Sequence, residues 1–286
     1  CWGTEIDAIG YVDGARTGPD TGSFPHAQQF LIRWNYLNNI AWYCDPDAAA
    51  NLYKADIDRV ILNAQARVLT GQQFLTDDIA AVWQKSIPML NIKPANLYQI
   101  ENYKDYDVFD LRIKKPFRTW NVVGLFNYND KQTPKTLHLD KLNLTSAKFH
   151  IFEFWSQSYL GLFNRTDKIK TDLNPYQAKA YIIIKDVPTR PVLLATDRHL
   201  SAGALDLQKL QWKQKDNTWT LKLNSDHLVP PDKYNLTFAL NGHDLKNISA
   251  STNQKPQIQK CSKTVTLTLT PDKESLQCEI EFEKVK

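Results

Sequence analysis

Two short segments carry the residue types that could do chemistry. The first is Arg16-Thr17-Gly18-Pro19-Asp20, which places an arginine four residues before a carboxylate. A guanidinium in that position can grip hydroxyls or a carboxylate, and can hold Asp20 in a working orientation. A carboxylic acid is a workable proton donor to a glycosidic oxygen when burial raises its pKa. The same spacing also suits a capped turn closed by a salt bridge. The second segment, Asp45-Pro46-Asp47, offers two more carboxylates. Aspartates flanking a proline also build ordinary turns by bonding nearby backbone amides. Eight tryptophans, Trp2 among them, serve either core packing or the stacking of sugar rings, whose apolar faces suit aromatic platforms. The six histidines and four cysteines show no metal-ligand spacing, so no cofactor or metal is expected.

These segments need elements to hold them. Residues 9–15 read as a strand running into the Arg16 loop. A helix follows, with Phe30, Leu31, Trp34 and Leu37 at helical spacing. Residues 40–44 read as a buried strand ending at Asp45. A second helix carries Ile57, Val60, Ile61, Ala64 and Val68 on one face and stops near Gly71. Phe74-Leu75 makes a short strand, and Asp78 is a plausible N-cap. Such strand-loop-helix units indicate parallel α/β structure over residues 1–92. From there to residue 286 the texture is that of an antiparallel β-sandwich, with two lobes as an option. Strands are expected at 108–113, 120–126, 149–155, 180–184, 219–223, 234–240, 265–269 and 276–282. The first block holds roughly three βα units where a closed barrel takes eight, so it reads as the late part of a (β/α)8 barrel.

Composition narrows the classes further. The 286 residues carry 35 Lys+Arg against 31 Asp+Glu, and 42% are hydrophobic. That apolar content argues against disorder. A net charge of +4 is too small and too evenly spread for a nucleic-acid partner. No run of about 20 apolar residues exists to cross a membrane as a helix, so no membrane partner is expected. The chain opens on Cys1 and its one methionine is Met89, which predicts a piece of a longer protein. A hairpin turning at residues 270–273 would pair Thr270 with Ser275 and set Cys278 opposite Leu267. Cys261 would then lie about 20 Å away, beyond disulfide reach. Four sequons (Asn143, Asn164, Asn235, Asn247) leave the compartment open, leaning to a secreted or periplasmic one.

In order along the chain, the strings GYVDGARTGPD (10–20), WYCDPD (42–47) and LTGQQFLTDD (69–78) resemble the late-barrel motifs of α-galactosidase-type retaining glycoside hydrolases. VGLFN (123–127) and FWSQSYLG (154–161) are similar to that family's C-terminal β domain. The resemblance implies that Asp20 is the general acid/base and that Arg16 contacts substrate beside it. It implies that Asp47 binds sugar hydroxyls and that Trp2 lies near a position reading the sugar ring. The substrate would be an oligosaccharide or glycoside with an α-linked galactose or a related sugar. Two departures stand out: Cys44 replaces the family's Asn before D-P-D, and Gln72 replaces a second Gly. The nucleophilic aspartate of the family lies upstream of residue 1. The resemblance therefore predicts a chain inactive by itself, with a missing N-terminal half-barrel as partner. The competing expectations are a non-catalytic carbohydrate-binding or interaction module, and a related sugar transferase or a glycosidase for another α-linked sugar.

Overall fold

In the computed structural model of the protein, the described residues are 6–18, 31–46, 56–72, 85, 87, 95–98 and 106–285. Phe74-Leu75 and Asp78 lie outside them. The strands run β1 (Gly14–Arg16), β2 (Tyr43–Asp45), β3 (Asn96–Tyr98), β4 (Val108–Lys115), β5 (Arg118–Phe126) and β6 (Thr133–His138). Then come β7 (Lys148–Glu153), β8 (Ser158–Asn164), β9 (Lys168–Leu173), β10 (Ala178–Lys185), β11 (Val192–Thr196) and β12 (Leu207–Lys215). The last are β13 (Thr218–Ser225), β14 (Tyr234–Ala239), β15 (His243–Ala250), β16 (Gln257–Lys260), β17 (Thr264–Leu269) and β18 (Leu276–Lys284). The protein is mostly β. A single long helix, α1 (Ile57–Thr70), is present among the described residues.

The parallel pair β1–β2 is the structural remnant of α/β character, with Gly14 opposite Tyr43 and Arg16 opposite Asp45. Both strands are shorter than their apolar runs suggest. Gly10 and Asn39 adopt left-handed backbone at φ 87° and 57°, which breaks extension just before each strand. Tyr11 and Ile40 are correspondingly exposed. The other sheets are antiparallel where register is resolved. Six strands take the order β3-β4-β5-β10-β7-β8, and β6 pairs with β9.

Contacts divide the chain into two units. The first comprises Cys1–Arg112, Asn121–Thr145 and Arg165–Tyr181. Its helix α1 begins where Asp56 Oδ1 accepts the Arg59 amide at 3.0 Å, and it ends at left-handed Gly71, φ 66°. Those are the start and stop signals a helix of this length requires. Ile57, assigned to the apolar face, is exposed, whereas Leu62 through Thr70 are buried on every side. The helix is enclosed because strand β5 comes very close at Gly124. A Cβ there would sit 2.5 Å from Leu69 Cδ1 and 2.9 Å from Gln65 Nε2. Gln65 donates from Nε2 to the Lys179 carbonyl at 2.9 Å, tying the helix to β10. A buried ion pair, Lys135 Nζ to Asp107 Oδ2 at 2.7 Å, completes the unit's polar interior.

The second unit comprises Ile113–Trp120, Ser146–Asn164 and Ile182–Lys286. It contains two four-stranded sheets, ordered β11-β14-β17-β16 and β12-β13-β18-β15. Inward residues of both, including Leu221, Leu223, Leu236, Phe238, Leu267, Ile280 and Phe282, form one apolar cluster. The expected 265–282 hairpin does not form. β17 pairs with β14 and β16, whereas β18 pairs with β13 and β15. Each strand has one apolar face. Placing the two in opposed sheets buries both faces against each other, and the connecting turn carries the chain across. Cys278 therefore stands opposite Leu223 and Ala250, not Leu267. Cys44, Cys261 and Cys278 are free thiols, in line with the expected absence of a Cys261–Cys278 bond.

Candidate active site

The C-terminal ends of β1 and β2 are in register, and that alignment builds the site. Tyr43 N donates to the Asp13 carbonyl at 2.8 Å and Thr17 N donates to the Asp45 carbonyl at 2.7 Å. Arg16 and Asp45 are paired residues of a parallel ladder, so their side chains leave the same face. Arg16 Nε lies 3.8 Å from Asp45 Oδ2, with both side chains partly exposed. Asp45 thus holds the arginine at the strand end, from which the chain reaches Asp20 four residues later. Burial pushes the Asp45 carboxyl above the usual aspartate value, and the charges of Arg16 and Arg67 oppose that shift.

Arg67 comes from helix α1 and has no exposed surface. Its Nε donates to Asn63 Oδ1 one turn earlier at 2.7 Å. Burial pushes the guanidinium down to about 10, with the Asp45 charge acting in the other direction. Two arginines of different elements therefore act on one carboxylate. Sequence reading named Arg16 because a loop carboxylate stood nearby. It missed Asp45 as the partner and Arg67 altogether, since no spacing rule links a mid-helix arginine to a strand end.

Asparagine and glutamine side chains frame the pair. Asn38 accepts the Cys44 amide at Oδ1 (2.8 Å) and donates from Nδ2 to the Thr70 carbonyl (2.8 Å), fastening β2 to the end of α1. Gln72, one of the two departures from the resembled motifs, is buried and donates to the Leu31 carbonyl at 2.9 Å. Cys44, the other, faces away from Asp45 by strand alternation, with Sγ 3.6 Å from the Trp34 carbonyl. Burial raises its thiol to about 12, so it is neutral. Asp20, Asp47 and Trp2 lie outside the described residues. Arg16 is the sequence-named site residue whose surroundings can be described. No cluster of three or more His, Cys, Asp or Glu that could hold a metal occurs among the described residues.

No family model matches the sequence, and no curated protein does. Solved structures do match. One is a GH27 β-L-arabinopyranosidase from Geobacillus stearothermophilus, with TM-score 0.51 and 13% identity over 64% of this chain and 48% of that one. An arabinose complex of a variant of that enzyme gives TM-score 0.52 and 12% identity over 64% and 48%. α-Galactosidase I from Mortierella vinacea gives TM-score 0.47 and 13% identity over 63% and 55%. This chain spans about half the length of these structures. Over roughly three fifths of its residues it has the fold of the GH27 β-L-arabinopyranosidase.

Proposed function

We propose that the chain is the later part of a retaining glycoside hydrolase that cleaves α-linked galactosides or related α-glycosides. Its first 92 residues would supply late strands and helices of a (β/α)8 barrel, and the remainder the β-sandwich part. The observation that supports this most is the in-register parallel pair, which sets Arg16 beside Asp45 at the strands' C-terminal ends. In α/β barrels, reacting groups sit on the loops that leave those ends. In the sequence Asp20 follows Arg16 by four residues and Asp47 follows Asp45 by two.

On this reading Asp20 is the general acid/base, Arg16 binds substrate beside it, Asp47 takes sugar hydroxyls and Trp2 meets the sugar ring. Retaining hydrolysis needs two carboxyl groups about 5–5.5 Å apart. One attacks the anomeric carbon and forms a glycosyl ester while Asp20 delivers its proton to the departing oxygen. Asp20 then takes a proton from the water that displaces the ester, restoring both groups. The attacking carboxylate belongs to the part of the barrel upstream of residue 1.

The test is Asp20→Asn in the chain joined to its upstream half-barrel. Turnover of unactivated galactosides should fall by roughly 10²–10⁴-fold. Activated aryl galactosides should keep part of their rate, and azide should rescue it with formation of a glycosyl azide. Normal hydrolysis of unactivated substrate by the variant would overturn the assignment.

A further inference from the structure

Taken by itself, the second unit holds a cleft of about 590 Å³ between β7–β8 and the turn preceding β15. That volume lies within the range of small-molecule sites. The polar groups lining it are fixed in a definite hydrogen-bonding sense. His150 is buried on β7, with Nε2 2.9 Å from Asp186 Oδ1 and Nδ1 2.8 Å from Tyr159 Oη. A carboxylate only accepts, so Nε2 carries the ring hydrogen and Nδ1 accepts from the phenol. The single hydrogen of Tyr159 is thereby committed inward. Its oxygen can only accept from a ligand.

Asn241 locks this arrangement from behind. It sits at a left-handed φ of 47°, and its amide donates to Asp186 Oδ1 at 3.2 Å and to the Val187 carbonyl at 3.1 Å. The Asn241 carbonyl in turn lies 2.9 Å from His243 Nδ1. A carbonyl only accepts, so Nδ1 carries a hydrogen, and in that tautomer Nε2 of His243 is an acceptor. Asp244, half-exposed, adds a carboxylate, while Lys263 adds a cation to the same lining.

Lys260 Nζ stands 4.0 Å from Asp244 Oδ1, so that carboxylate already has a cation beside it, and the remaining lining groups, Tyr159, His243, Ser262 and Lys263, mix acceptors with donors. They suit a neutral ligand whose every polar group both donates and accepts, which is the property of a hydroxyl. Leu162 and Val285 line the same cleft with unusually exposed side chains, offering apolar surface to the C–H face of a ring. We propose that this cleft is a binding site for a neutral polyhydroxylated ligand, a sugar ring. The proposal rests on the cleft alone and goes beyond the reading of Asp20.

Isothermal titration of the 286-residue chain with D-galactose, methyl α-D-galactopyranoside and raffinose tests it, with phosphate and ethylammonium as charged controls. At least one sugar should bind saturably with Kd on the order of 1 mM, and neither control should bind. Asp244→Asn and Tyr159→Phe should each weaken that binding about tenfold. Asp244 is half-exposed, so its variant is readable even if Tyr159→Phe disturbs folding. Absence of saturable sugar binding, or preferential binding of a charged control, would overturn the proposal. So would binding that survives Asp244→Asn but is lost in Asp20→Asn, a result that leaves the hydrolase reading standing.

Discussion

Arg67 is a guanidinium without exposed surface, and such a charge persists only when compensated. Asn63 and the charge of Asp45 supply the compensation. Arg67→Ala should therefore destabilise the chain by about 3–5 kcal/mol, because it opens a cavity and leaves the partly exposed Asp45 with one cation fewer. Arg67→Met should cost less, since the volume is retained. Urea denaturation of both variants checks the order, and equal losses would contradict it. His150 provides a pH test. Burial holds its imidazole below the usual histidine value, and Asp186 pulls it back only in part. The folded state then binds fewer protons than the unfolded one, so this contribution is complete above about pH 6.5 and is lost as pH falls through the folded value. The melting temperature should drop between pH 7 and 5 with a shallower slope in His150→Gln. Burial raises the Asp110 and Asp206 carboxyls, which acts in the opposite sense, so the difference between proteins isolates His150. Arg16 could be named from its spacing to Asp20, whereas the partner the structure gives it, Asp45, stands on the neighbouring strand. Arg67 and His150 were not legible, because Asp45, Tyr159 and Asp186, whose groups act on them, belong to other elements.

Among the elements, α1 shows where local signals suffice and where they stop. Its N-cap Asp56 and left-handed Gly71 follow from residue chemistry, and the helix ends where the sequence places its stop, near Gly71. Its buried face does not follow. Periodicity picks one stripe, whereas the later half of the helix is enclosed and buries Asn63, Gln65 and Arg67 as well. The cause sits on another element, Gly124 of β5, which admits the helix at a distance no Cβ allows. Gly124→Ala should cost about 1–3 kcal/mol through displacement of α1. Thermal melts and hydrogen exchange along residues 62–70 would show it, and unchanged protection there would disprove the close approach. The same limit explains the 265–282 segment. Alternation identified two strands with one apolar face each, but pairing partners are chosen by which sheet each face must cover. Contiguity in sequence suggested a hairpin, and burial of both faces required a crossover.

For the whole molecule, the change in texture along the sequence was readable because strand runs with turn signals outnumber helical patterns so heavily beyond the first block. Which strands share a sheet was not readable, since β14, β17, β13 and β18 pair across intervening chain. On the hydrolase reading, the 286 residues alone should leave p-nitrophenyl α-galactoside uncleaved, and co-production with the upstream half-barrel should restore turnover. Cleavage by the isolated chain would place a nucleophile within it and refute the division of labour. The sandwich carries a further consequence for how the protein is made. β18 lies between β13 and β15, both of which are synthesised before it. During translation those two strands leave the ribosome with a slot open between them, each presenting a bare edge. The sheet closes only once residue 284 has cleared the exit tunnel. A ribosome paused after residue 250 has emerged but before residue 284 has done so would hold a nascent chain primed to pair with its neighbours on the polysome.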